Sequence, residues 1–250
     1  YRTGILGKLH VNPATAFPFD MKKISSSNFS RNKLDNYAKE AATFFEAAET
    51  PFFLSVNYPD AHRPFIAMAN KLPTKPLTAD DVKPLAYIGL DTPQLRAETA
   101  NYYNCLSRLD SLIGDLLQTL QDSGKANNTL VIYLGDHGAD LLRGKRTSYE
   151  GGIRIPLIVY WPGEIQPHST SHAIVTGTDY YPTLLEMLNL PGLPDQHLDG
   201  KSFVPALKAE DYDRGPIYWH FPHYSNHGFQ SPGGAIRSGR YKLLEYYENG

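Results

Sequence analysis

Three apolar runs in this chain end in side chains that could do chemistry. Thr3–Lys8 (TGILGK) ends in Lys8 and, two residues on, His10. Phe52–Val56 runs into the loop NYPDAHRPF, which holds Asp60, His62 and Arg63. Leu130–Leu134 stops at Gly135; Asp136 and His137 follow at once, and Arg143, Lys145 and Arg146 lie in the polar loop beyond. Lysines carry positive charge for an oxyanion, and imidazoles titrate near neutral pH and so move protons. A carboxylate just past a strand suits an oxygen-seeking cation such as Mg2+ or Ca2+, and serves equally well as a turn cap. One such ending is an everyday structural arrangement, whereas three in one chain point to an anion site with a metal ion. Ligands of open α/β sheets sit outside the carboxyl ends of the strands. A parallel sheet would therefore bring the three endings to one edge.

The elements that must hold these residues follow from periodicity. Lys33–Thr50 places Leu34, Tyr37, Ala38, Ala41, Phe44, Phe45 and Ala48 at helical spacing, and Pro51 stops it. Gln94–Gln121 is the clearest helix, with a stripe of Tyr102, Leu106, Leu109, Ile113, Leu116, Leu117 and Leu120. Asp179–Leu190 reads as a helix with Pro182 in its first turn, where proline is tolerated. Ile155–Trp161 and Ala173–Thr176 read as strands, and Glu150-Gly151-Gly152 as a turn that shapes the site. Ile217–His220, Gly234–Ser238 and Tyr241–Tyr247 suggest a small antiparallel set around Gly239-Arg240. Residues 12–32, 66–93 and 191–215 read as loops. Strands alternating with helices predict an α/β fold, with residues 1–200 as a main domain and 201–250 as the start of a smaller antiparallel subdomain.

The 250-residue chain carries a net charge of -2, which argues against a general polyanion binder such as a nucleic-acid protein. No apolar run reaches membrane-spanning length. A single cysteine rules out an internal disulfide framework. The opening YRTG and the closing YKLLEYYENG read as the ends of a piece of a longer protein. His220, His223 and His227, with Trp219 and Tyr224, form an aromatic and imidazole cluster that fits either the wall of a sugar subsite or edge-strand packing. Arg143 fits either substrate orientation or pairing with an acid.

GKLH at 7–10, PFFLSVNYPDAHRPF at 51–65, and LVIYLGDHG followed by LLRGKRTSYEGGIRIPLIVYWPG resemble the type I sulfatases, formylglycine-dependent enzymes of the alkaline-phosphatase-like superfamily. The helix YYNCLSRLDSLIGDLLQTL and the stretch TDYYPTLLEMLNL resemble the same family, and WHFPHY with AIRSGRYKLLEYYENG resembles its bacterial carbohydrate sulfatases. The resemblance implies a mixed, largely parallel sheet flanked by helices. It implies that Lys8 touches sulfate and the formylglycine hydrate, that His10 hydrogen-bonds that hydrate, that His62 lies near the leaving oxygen as a general acid, and that Lys145 is a second sulfate-binding lysine. Asp136 and His137 match a pair of ligands to one Ca2+, the histidine being the less natural of the two. Arg143, His220 and His223 are the expected substrate contacts. The implied substrate is a sulfated carbohydrate, and the implied location is the periplasm or the secreted fraction.

The family nucleophile, a Cys or Ser in a C/S-x-P/A-x-R motif, would lie before GKLH together with the first metal ligands. Formylglycine is thus expected outside this sequence, and the chain alone is expected to be inactive. Cys105 does not substitute: its context is CLSR, inside the long helix, and it reads as a packing residue. A phosphatase, phosphodiesterase or phosphonate hydrolase of the same superfamily is the alternative enzyme reading, and a degenerate sulfatase-like binding protein is the non-enzymatic one.

Overall fold

The computed structural model describes residues 1–225 and 230–248; His227 lies outside the described residues. The chain divides into two compact units, residues 1–128 and 129–250.

In the first unit, β1 (Arg2–Gly7), β2 (Met21–Lys23), α1 (Asn36–Glu46) and β3 (Phe52–Asn57) form a three-stranded parallel sheet with a covering helix. The strand order is β2-β1-β3, and Gly7 pairs with Asn57 at the carboxyl edge. Met21–Lys23, expected within a loop, is a short edge strand whose three pairs follow Gly4–Leu6 of β1. Helix α1 is shorter than its periodicity suggests, because Lys33 has φ 49 and cannot start a helix. Its Phe44 and Phe45 are buried against the sheet. A Cβ on Gly4 would come within 2.6 Å of Phe44, so the helix sits directly on bare β1 backbone.

Helix α2 (Pro93–Asp122) starts where the Thr92 hydroxyl accepts from the Leu95 amide, with proline in the first turn. Its buried face follows the predicted stripe only in part, through Leu109 and Leu120. Asn104, Cys105 and Arg108 go inside with Leu109 and Leu112, while Leu117 is exposed. The polar members are admitted because each is bonded: Asn104 exchanges two hydrogen bonds with the Leu77 backbone, and Arg108 meets a carboxylate. Cys105 is buried in this helix, and burial raises its thiol pKa, in keeping with packing.

The second unit contains β4 (Val131–Leu134), α3 (Glu150–Ile153), β5 (Leu157–Tyr160), α4 (Tyr180–Met187), α5 (Val204–Leu207), β6 (Ile217–Phe221), β7 (Gly233–Ser238) and β8 (Tyr241–Tyr246). β4 and β5 pair antiparallel as a two-stranded sheet, and β6-β7-β8 form an antiparallel sheet as expected. Apolar runs alone do not indicate that β4 and β5 pair with each other. Residues 173–176 form no strand, and Glu150-Gly151-Gly152 is the start of a short helix, not a turn. Asp179, fully buried, accepts from the amides of Thr176 and Lys201 and from Arg214, and so closes the start of α4. Among the described residues no helix is long and apolar enough to cross a membrane.

Candidate active site

In the first unit, Lys8 follows the last residue of β1. Gly7 has φ 95, and a Cβ there would stand 2.0 Å from the Asn57 carbonyl, so only glycine permits this close edge. The Asn57 side-chain amide then donates to the Lys8 carbonyl at 3.0 Å. This ties the residue after β1 to the end of β3, whose loop carries His62. The parallel pairing thereby brings two of the three predicted endings to one edge.

Between Lys8 and His62 lies Phe29. Its ring stacks on the His62 imidazole, with centroids 4.2 Å apart and planes 14° from parallel, and the Lys8 ammonium stands 5.9 Å from its centroid. His62 Nδ1 is 2.7 Å from the Arg63 carbonyl. A carbonyl only accepts, so Nδ1 carries a proton and Nε2 is left for other work. His10 is exposed beyond the strand.

The loop is held from below by charge. Asp60 is a fully buried carboxylate gripped by two fully buried guanidinium groups. Arg108 reaches both of its oxygens, at 2.7 and 2.9 Å, and Arg31 reaches one at 3.0 Å. Arg31 also donates to the carbonyls of Phe29 and His62. Arg108 donates to the Ile66 carbonyl at 2.9 Å. Asp60, read in the sequence as a possible site group, is thus an internal anchor. Arg63 pairs with Glu98 and lies over Phe65.

In the second unit, Asp136 and His137 follow β4. His137 Nδ1 is 2.9 Å from the Gly138 carbonyl, which again frees Nε2, and Nε2 lies 3.4 Å from Asp136 Oδ2. The Asp136 carboxylate is 86% exposed and the imidazole 38%. An imidazole fixed by its other nitrogen and converging on an exposed carboxylate fits two neighbouring ligands of one cation. No group of three or more acidic, His or Cys side chains able to hold a metal occurs among the described residues.

The loop beyond is knitted by backbone. Gly138 donates to Gly152 at 2.9 Å, and a Cβ on Gly138 would strike the Gly151 carbonyl at 1.8 Å. The Lys145 amide donates to Ala139 at 2.7 Å, and the Thr147 hydroxyl bonds the Gly144 carbonyl at 2.7 Å. Arg143 lies over the Tyr149 ring, 4.5 Å from its centroid. One face of the β6–β8 sheet grips this loop. Lys242 donates to the Ser148 carbonyl and to Glu150, Arg237 donates to Glu150 at 3.1 Å, and the Tyr246 hydroxyl meets that of Tyr149 at 3.0 Å. Burial pushes the Tyr246 hydroxyl up to about 12, with the Tyr149 hydrogen bond adding to it.

His220 stands on the other face, because side chains alternate along a strand and its neighbour Trp219 shares the gripping face with Lys242. His220 Nδ1 is 2.7 Å from the Tyr247 hydroxyl. His223 is exposed and packs edge-on against Phe221.

Sequence reading missed Phe29, Arg31, Arg108 and Lys242. Phe29 and Arg31 sit in an aperiodic Ser/Asn-rich stretch, and Arg108 lies between the stripe residues Leu106 and Leu109. Only a charged residue recurring among apolar neighbours, as Arg108 does beside Leu109, could have hinted at burial.

The sulfatase family profile matches residues 1–190. The chain belongs to the sulfatase family. The profile of the C-terminal region of N-sulphoglucosamine sulphohydrolase matches residues 135–250. Human N-sulphoglucosamine sulphohydrolase is 32% identical over 244 residues, covering 84% of this chain and 48% of the human protein. A sulfatase of Formosa agariphila is 34% identical over 199 residues, covering 71% of this chain and 34% of its own length. The chain therefore spans about half or less of these relatives. A protein of solved structure in complex with its substrate D-glucosamine-2-N,6-O-disulfate superposes with a TM-score of 0.73, covering all of this chain and 71% of that one at 19% identity. That likeness establishes the mixed alkaline-phosphatase-like α/β fold.

Proposed function

We propose that the protein containing this chain hydrolyses sulfate esters of a saccharide. The carrying observation is that the N-sulphoglucosamine sulphohydrolase C-terminal profile overlaps the general sulfatase profile from residue 135 and extends past its end at 190 to residue 250. The human relative of that name shares 32% identity with the chain.

A sulfate monoester needs its oxygens held by positive charge and a proton for the departing alkoxide. In our reading Lys8 and Lys145 supply cations to the sulfate oxygens. His62, its Nδ1–H committed to the Arg63 carbonyl, presents Nε2, which in the imidazolium form carries the proton given to the leaving oxygen. His10 accepts a proton in the return of the nucleophile to its resting state. Asp136 and His137 are proposed ligands of a Ca2+, which when bound supplies charge to the sulfate. Formylglycine, the family nucleophile, is assigned to sequence outside this chain. Arg143 is a proposed substrate contact through its guanidinium, and His220 and His223 through imidazole bonds to sugar hydroxyls. On the same grounds we assign the protein to the periplasm or the secreted fraction.

The test is sulfate release from sulfated glucosamine saccharides by the full-length protein, set against phosphate release from phosphate monoesters. Sulfate release in preference is expected; turnover of phosphate esters alone overturns the reading.

A further inference from the structure

We infer that Phe29 is a positioning residue: it fixes the plane of the His62 imidazole. Three observations meet here. The near-parallel stack at 4.2 Å leaves the imidazole little room to turn about its own bonds. The Lys8 ammonium stands 5.9 Å from the same ring, within the range at which a ring face attracts a cation. One buried guanidinium, that of Arg31, donates both to the Phe29 carbonyl and to the His62 carbonyl, so the two backbones that carry the stack share one anchor.

The turn that presents Phe29 is built for the purpose. The Arg31 amide donates to the Asn28 carbonyl at 2.8 Å, and the Asn28 side chain exchanges two bonds with the Asn32 backbone, each 2.9 Å. Phe29 itself is 36% exposed, which is more than a core residue of its size would show. A half-exposed aromatic held by a bonded turn against a histidine orients that group more than it fills a core. With Nδ1 bonded to a carbonyl and one ring face covered by Phe29, the imidazole is left with Nε2 as its one uncommitted nitrogen in a fixed plane.

The inference rests on His62 acting as proposed above, and it is testable apart from that reading. In the full-length protein, Phe29→Leu removes the ring and Phe29→Tyr keeps it. The first readout is the NMR of the His62 ring. Wild type and Phe29→Tyr should show ring-current-shifted imidazole protons and a hydrogen-bonded Nδ1–H, and Phe29→Leu should lose the shift. The second readout is turnover. Phe29→Leu should lower kcat on unactivated saccharide sulfates by roughly 10- to 100-fold, as small misplacements of catalytic groups do. It should leave KM nearly unchanged, spare activated aryl sulfates, and be rescued by Phe29→Tyr. Unaltered His62 resonances in Phe29→Leu overturn the inference. So does an equal loss on both substrate types, which would mark general damage instead of lost positioning. If the His62 signature behaves as described but wild type releases no sulfate, the functional reading fails and the positioning stands.

Discussion

Lys242, on the last strand, donates to the carboxylate of Glu150, 3.0 Å away and 92 residues earlier in the chain. The same ammonium reaches the Ser148 carbonyl and lies over the Trp219 ring. Glu150 is the other partner of Arg237, so two cations of the C-terminal sheet converge on one carboxylate at the end of the loop that carries Lys145. Burial acts to raise the Glu150 pKa, but Lys242, Arg237 and Arg154 outweigh it and hold the carboxyl below the usual glutamate range.

Lys242→Met should therefore loosen this loop at a cost of about 1 kcal/mol, the scale of a part-exposed ion pair. Urea unfolding of wild type and variant measures it. A carboxylate whose pKa is depressed on folding stabilises the fold above its unfolded value, and that contribution is lost as pH falls through the folded one. The gap between wild type and variant should thus be full at neutral pH and shrink as pH falls through the carboxylate range. A gap that persists unchanged at low pH would assign the effect to the Ser148 bond and the Trp219 contact.

Asp60 compensates two guanidinium groups that have no access to water. Asp60→Asn should destabilise the protein by about 3–5 kcal/mol, because it strands buried charge. Chemical denaturation reads this directly. A loss below about 1 kcal/mol would mean that Arg31 and Arg108 are satisfied by their carbonyl partners alone.

Lys145→Ala should cut sulfate-ester turnover of the full-length protein by roughly 100-fold or more, since a desolvated oxyanion loses a cation. Near-normal turnover would remove Lys145 from the site. The companion His62→Ala should harm substrates with poor leaving groups more than activated aryl sulfates, and equal loss on both would speak against a general acid. His220→Ala with unchanged KM would take His220 out of the saccharide contacts.

Asp136→Ala should lower metal affinity by more than about 10-fold, measured by calorimetry or by metal content after dialysis. His137→Asn should retain Ca2+, because an amide oxygen suits that ion better than an imidazole nitrogen. Loss of Ca2+ in His137→Asn with retention of Zn2+ in wild type would identify a nitrogen-preferring metal instead.

Burial pushes the Tyr37 hydroxyl up to about 12, as it does that of Tyr246. An unfolded tyrosine ionises near about 10. A pKa raised on folding gives stability that is fully present below the unfolded value and disappears as pH rises through the folded one. Stability should fall between about pH 10 and 12, and Tyr37→Phe should flatten that decline. Ultraviolet titration of the tyrosinates with parallel melts checks it.

The sequence alone determined the elements with strong periodicity and the residues at their ends. Helix α2, the strands β1, β3, β4 and β5, and the three C-terminal strands are legible because apolar spacing and turn residues are local properties. Lys8, His62, Asp136, His137 and Lys145 are legible because each follows such an element within a few residues or lies in its loop. Tertiary structure alone decided what goes inside. Asp60 and Arg108 look like surface residues until a partner 48 positions away neutralises each. Phe29 gains a role only when the turn at 28–32 folds back onto His62, and Lys242 only when β8 meets residues 148–150. The antiparallel pairing of β4 with β5 was likewise invisible, since a short apolar run carries no record of its neighbour. Periodicity encodes which face of an element is apolar. Which distant polar group will compensate a buried charge depends on three-dimensional proximity, and that exists only once the chain has folded.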